Sequence, residues 1–159
     1  MAVDLGSTTI AAHLCDLQNG NVIASSGVMN PQIRFGEDLM SRVSYSMMNP
    51  GGDQEMTRIV REGIDELFTQ ITRDAGIDKN LVMDTVFVCN PVMHHLFLGI
   101  DPFELGQAPF ALATSSSVKT NTSELGINIH QNARAYILPC IAGHVGADAA
   151  AVALSEAPN

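Results

Sequence analysis

Apolar and polar residues alternate from the first positions of the chain. The run 2–5 (AVDL) is apolar apart from Asp4, and from Thr8 to Asp16 a period of two puts Ile10, Ala12 and Leu14 on one face, as a half-buried strand requires. Gln18-Asn19-Gly20-Asn21 predicts a hairpin turn, because Asn and Gly tolerate positive φ. Val22 to Met29 then returns as a third strand, completing an antiparallel meander. Pro31 ends it. From Glu37 to Met48 the spacing of Leu39, Met40, Val43 and Met47 lengthens to three and four, which predicts a short amphipathic helix broken by Asn49-Pro50-Gly51-Gly52.

Asp53 is a good N-cap for the next helix. Met56, Ile59, Val60, Ile64, Leu67, Phe68 and Ile71 trace one stripe that runs on to Gly76, a natural residue beyond a helix C-terminus. Thr85 to Cys89 is nearly continuous apolar sequence, as in a buried central strand. Asn90-Pro91 opens a helix in which Met93, Leu96 and Phe97 face inward, and Gly99 stops it. Residues 101–132, rich in Ser, Thr, Asn and Pro, predict an irregular excursion. Residues 134–139 (RAYILP) form a further strand, Gly143 and Gly146 a turn, and Ala147 to about Ser155 a last helix. Residues 156–159 read as a frayed end or cut point. Three strands followed by two β-α units imply an α/β fold, a mixed sheet with helices on both faces.

Composition narrows the partners. The 159 residues carry 8 Lys+Arg against 17 Asp+Glu, a formal charge of −9, which repels a nucleic-acid backbone in the absence of a basic patch. The apolar runs fall well short of the roughly 18 residues of a membrane span, and MAVDLG has neither a basic nor an apolar leader region. A soluble, cytoplasmic protein is expected. Cys15, Cys89 and Cys140 are too scattered for a C-x-x-C metal pair or an iron–sulfur site and read as reduced, mostly buried thiols. Eight methionines suggest a soft, adaptable core.

The sharpest local feature is Asp4-Leu5-Gly6-Ser7-Thr8-Thr9, between the first two strands. A tight turn entered by Gly6 can aim several backbone amides outward beside the hydroxyls of Ser7, Thr8 and Thr9, a cradle for phosphate. Asp4, at the end of a buried strand, then suits Mg²⁺, directly or through water. The competing reading is a polar β-turn whose hydroxyls satisfy local backbone.

These residues, in this order, resemble the phosphate-1 motif of the acetate and sugar kinase, Hsp70 and actin superfamily (ASKHA), with its ribonuclease-H-like half-domains of actin, Hsp70 and hexokinase type. IAGHVGADAAAVAL (141–154) is similar to the helix that ends the first half-domain there. Within that superfamily, VDLGSTTIAAHLCDLQNG, NPQIRFGEDLMSRV, NPVMHHLFLGIDPFELGQAPF and ILPCIAGHVGADAAAVAL resemble the ATPase region of the RACo and RamA-like reductive activators of corrinoid proteins. The resemblance implies an ATP-dependent return of a corrinoid from cob(II)alamin to cob(I)alamin. It implies a catalytic, metal-holding Asp4, an ATP site at Gly6, Ser7, Thr8, Thr9, Gly143 and Gly146, and Mg²⁺. The partner it implies is a corrinoid protein or corrinoid-dependent methyltransferase.

Residues 1–159 then correspond to the first half of the ATPase domain, with insertions at about 31–52 and 101–132. No C-x4-C-x2-C set occurs, so a [2Fe-2S] centre is expected only in a ferredoxin domain outside this sequence, as is the second half-domain. A half-domain alone is expected to bind nucleotide weakly, to turn over negligibly and to self-associate as a homodimer. Competing functions are a ribonuclease-H-like nuclease using Asp4 with Asp84 and Asp148 for two metals, a non-catalytic interaction module, and a sugar or carboxylate kinase.

Other residues carry weaker signals. Ala147, Ala149, Ala150, Ala151 and Ala153 allow a neighbouring helix to approach closely and slide, or simply favour helix. Gly143 and Gly146 serve the turn into this helix or a hinge. Adjacent histidines His94 and His95 point about 100° apart on a helix and read as satisfied residues rather than ligands. His144 reads as a loop residue, and His13 and His130 belong to no constellation. Arg34, Glu37, Asp38 and Arg42 read as a solvated cluster with an i,i+4 pair of Asp38 and Arg42, or as a docking surface.

Overall fold

The computed structural model describes residues 1–157. Its strands are β1 (Ala2–Leu5), β2 (Thr9–Cys15), β3 (Val22–Met29), β4 (Asp84–Cys89), β5 (Val118–Asn121) and β6 (Arg134–Ile137). They form one sheet in the order β3-β2-β1-β4-β6-β5. β1 runs antiparallel to β2 and parallel to β4, and β4 runs parallel to β6. This is the ribonuclease-H-like arrangement expected from the sequence, with β5 added antiparallel at the β6 edge.

The helices are α1 (Leu39–Met48), α2 (Gly52–Asp74), α3 (Pro91–Leu98) and α4 (Ala147–Ser155). Every apolar residue of the predicted α2 stripe is buried. Ile64, Leu67 and Phe68 of α2 and Phe97 of α3 pack in one cluster with Val3, Leu5, Ile10 and Phe87 of the sheet. Phe87 lies between two rings, with centroids 6.4 Å from Phe68 and 4.7 Å from Phe97. A smaller cluster of Val43, Met56, Val92, Leu96 and Leu105 lies under α1. The other sheet face carries Ala2, Asp4, His13 and Val86, all exposed. In α4 only Ala147 is buried, while Val152 and Leu154 are exposed.

Several expectations need correction. Asp53 sits inside the first turn of α2, where its charge suits the helix N-terminus; the N-cap is Gly51, at φ 81°. The segment 31–48 is two pieces. Asn30 caps a 3-10 turn over Pro31–Phe35, and Asp38 caps α1 by accepting from the Ser41 amide at 2.7 Å. Residues 101–132 are not wholly irregular, because they contain β5 and bury Leu125, Ile127 and Ile129. Of the methionines, Met1, Met56 and Met93 are buried in the core, and Met29, Met40, Met47, Met48 and Met83 are exposed.

Gly63, midway along α2, faces the ring of Pro31; a Cβ there would lie 3.1 Å from Pro31 Cγ. α4 ends with the Glu156 amide donating to the Val152 carbonyl. Pro158 and Asn159, the remainder of the predicted frayed end, lie outside the described residues. Among the described residues no helix is long and apolar enough to cross a membrane.

Candidate functional site

β1 carries Asp4 to the C-terminal end of the sheet centre, where Leu5 pairs with Ile10 and residues 6–8 bridge the two strands. Gly6 is required by space: a Cβ there would fall 2.5 Å from the Thr9 carbonyl oxygen. Three successive carbonyls of the bend are held by protein donors. Asn30 Nδ2 donates to Gly6 O at 2.8 Å, the Arg42 guanidinium donates to Ser7 O, and the Asn30 amide donates to Thr8 O at 2.8 Å. In a trans peptide the N–H points opposite to the carbonyl, so holding Gly6 O and Ser7 O turns the Ser7 and Thr8 amides the other way. No acceptor among the described residues takes either amide.

Asp148 acts on Asp4 at this end of the sheet. Loss of surrounding water raises the Asp4 carboxyl above its usual range, and the Asp148 charge raises it further. Gly146, which precedes α4, is pressed against the end of β4: a Cβ would meet Cys89 O at 2.4 Å and Asn90 Cα at 2.5 Å. Two thiols stand close by. Burial raises Cys89 well above the ordinary thiol value, with Cys140, Asp148 and Asp4 adding to it. Burial and then Asp148 push Cys140 up to about 11. Both are therefore protonated near neutrality and poor nucleophiles.

A pair of carboxylates beside outward amides suits Mg²⁺, which keeps several waters and binds through one or two carboxylates plus phosphate oxygens. No cluster of three or more His, Cys, Asp or Glu side chains suited to a metal occurs among the described residues. The nuclease arrangement loses one of its acids. Asp4 pairs with Val88, so Asp84 sits four residues away at the start of the parallel strand, about 13 Å distant at a strand's rise. A cavity of about 590 Å³ lined by Asp84, Lys119, Tyr136 and neighbours opens there, and neither Asp4 nor the 6–9 bend lines it.

Gly143 is packed against Phe110, whose carbonyl oxygen would be 2.1 Å from a Cβ. The exposed His144 ring rests on Phe110, with centroids 4.5 Å apart. His95 is satisfied: Nδ1 donates to Pro91 O at 2.8 Å, and Nε2 accepts the Ala113 amide at 3.0 Å. His94 is not. Both its ring nitrogens are buried without a partner among the described residues, and burial, then the neighbouring His95, lowers its pKa to about 4. His13 meets Ser25 Oγ at 2.6 Å on the exposed sheet face.

The solvated reading of Arg42 is overturned. The side chain is fully buried and makes no ion pair with Asp38, whose carboxylate is engaged in capping Ser41. It donates to Gly36 O at 3.0 Å, Gln32 Oε1 at 3.2 Å and Met93 Sδ at 3.1 Å, besides Ser7 O. Gln32, also fully buried, anchors this group to α2 through Met56 O at 2.9 Å. Asn30, Gln32 and Arg42 are the supports of the bend that sequence reasoning missed. The one available signal was Asn-Pro-Gln directly after a strand, where two amide side chains flank a proline.

Comparison with known proteins gives concordant results. A family model described as the RACo middle region matches residues 1–157. The corrinoid activation enzyme RamQ of Eubacterium limosum is 31% identical over 154 residues, which cover 97% of this chain and 26% of that protein. A solved structure of a reductive activator for corrinoid, iron-sulfur protein superposes with a TM-score of 0.92 at 34% identity. That match covers 96% of this chain and 24% of the other. The chain thus spans about a quarter of the length of either protein.

Proposed function

The chain belongs to the RACo middle-region family, that of corrinoid reductive activators, and from that premise we propose that it supplies the phosphate-binding half of an ATP site that drives corrinoid reduction. In this reading residues 1–159 are the first half of an ASKHA-type ATPase domain, with 31–52 and 101–132 as insertions. The partner is a corrinoid protein whose cobalt has been oxidised by one electron to cob(II)alamin; an electron from an iron–sulfur centre elsewhere in the activator returns it to cob(I)alamin. Bound ATP supplies the hydrolysis free energy that makes this transfer favourable.

The observation that carries the reading is the bend itself. Its carbonyls are tied back at Gly6, Ser7 and Thr8 while the Ser7 and Thr8 amides find no acceptor among the described residues, which is what an anion nest needs. Asp4, with Asp148 near it, is the group to hold Mg²⁺ against the phosphates, directly or through water. Gly146 keeps α4 close to that edge, whereas Gly143 acts through packing on Phe110.

The test is nucleotide binding and ATP hydrolysis by the intact protein, measured for the natural sequence and for Asp4→Ala. Loss of Mg²⁺-dependent binding and turnover in Asp4→Ala is expected. Equal affinity and equal rate would overturn the assignment.

A further inference from the structure

We propose that Arg42 is a positioning residue of the phosphate bend: its buried guanidinium fixes the Ser7–Thr8 peptide and provides the positive charge behind an anion bound in front of it. The inference rests on the reading of residues 6–9 as a phosphate cradle and adds a role for a residue outside that motif.

The first argument is electrostatic. Arg42 is fully buried, yet all four of its partners are neutral: the carbonyls of Ser7 and Gly36, Gln32 Oε1 and Met93 Sδ. No carboxylate among the described residues forms an ion pair with it. The Asp38 charge acts on it only from beyond ion-pair distance, and a buried cation without a close partner is costly. Carbonyl dipoles offset part of that cost, and a bound phosphate would offset more.

The second argument is geometric. Ser7 C=O and Thr8 N–H belong to one peptide unit and point in opposite directions. A guanidinium at the oxygen end orients the N–H toward the other side and polarises it, strengthening its bond to an anion. Asn30 completes the tie by holding Gly6 O and Thr8 O on either side.

The third argument is charge balance. The chain has a net charge of −9, and Asp4 and Asp148 add negative potential beside the bend. Among the described residues, Arg42 is the one cationic side chain hydrogen-bonded to residues 6–9. An approaching polyphosphate therefore meets attraction here only from the metal, the amides and this guanidinium.

The decisive experiment uses the intact protein with inorganic phosphate and MgADP as probes. Affinities are measured by calorimetry, and the Thr8 amide ¹⁵N shift by NMR, for the natural sequence, Arg42→Met and Arg42→Lys. Arg42→Met should weaken both ligands by about tenfold or more, as expected for loss of a charge-assisted contact. Arg42→Lys should recover part of that loss while the Thr8 ¹⁵N resonance shifts, because an ammonium keeps the charge but not the planar fork.

If the natural protein binds neither probe, the cradle reading itself fails. If it binds both, and Arg42→Lys binds equally with an unmoved Thr8 resonance, the cradle stands and the role of Arg42 is overturned. That second comparison holds even where Arg42→Met does not fold.

Discussion

Gly6 and Thr9 approach so closely that a side chain on one would collide with the backbone of the other: the Cβ of an alanine at position 6 would sit 2.5 Å from the Thr9 carbonyl oxygen. Gly6→Ala must therefore shift the bend. Affinity for MgADP should fall by about tenfold, near 1.4 kcal/mol, with the circular dichroism of the sheet retained. Unchanged affinity would show that the backbone of the bend does not hold the nucleotide.

Asp148 raises the Asp4 carboxyl through like charge, second to loss of water. Asp148→Asn should then lower the Asp4 titration midpoint, followed through its carboxyl ¹³C resonance. A carboxylate with a raised midpoint loses its charge earlier on acidification, so Mg²⁺ affinity in the natural sequence should weaken as pH falls through that midpoint. An unmoved Asp4 midpoint in Asp148→Asn would mean that the two side chains do not interact in solution.

His94 offers a prediction about stability. In the folded chain it stays neutral down to about pH 4, whereas its ordinary value is 6.5. Between these values the unfolded chain binds more protons, so folding stability is full above about pH 6.5 and is lost as pH falls toward 4, by an amount on the order of 3 kcal/mol. His95 is shifted in the same direction by burial. Urea unfolding at pH 7 and pH 4.5 should show a smaller loss for His94→Leu than for the natural sequence. His94→Leu should also be no less stable at pH 7, since it removes two unpartnered buried nitrogens. Equal losses on acidification would remove His94 from the explanation.

Phe87 is the ring through which the sheet meets both long-range helix contacts, Phe68 and Phe97. Phe87→Ala should destabilise the domain by about 3 to 5 kcal/mol. Chemical unfolding at neutral pH checks it; a cost below about 1 kcal/mol would mean that the surrounding side chains close over the cavity.

β2 and α2 were legible because each buries one face against the core and so writes a period of two or of 3.6 into its sequence; α3, buried from Pro91 to Phe97, was legible from its Asn-Pro start and Gly99 stop, and α4, of which only Ala147 is buried, from its run of alanines. β5 was not legible. Val118-Lys119-Thr120-Asn121 has one apolar residue, and its order comes from backbone pairing with β6 at a sheet edge, which leaves no mark on side-chain pattern. The phosphate bend was legible as a motif, because glycine and hydroxyl residues have few reasons to cluster after a buried strand. Its supports were not. Arg42 reads as surface by residue type, and only tertiary geometry turns it inward to Ser7, 35 residues away. His94 reads as satisfied, buried or at the surface, and only tertiary packing encloses both its ring nitrogens without a partner among the described residues.

The contact between Gly63 and the Pro31 ring has a consequence for attempts to harden this domain. Alanine at position 63 would add about 1 kcal/mol of helical preference to α2, an obvious gain to anyone designing for heat resistance. The new methyl would press on a proline that adjoins Asn30, the residue tethering two of the bend's carbonyls. Any gain in helical preference would thus come with a push on the mooring of the loop twenty-four residues upstream of Asn30, so that hardening the helix and keeping the ligand grip are coupled through one proline.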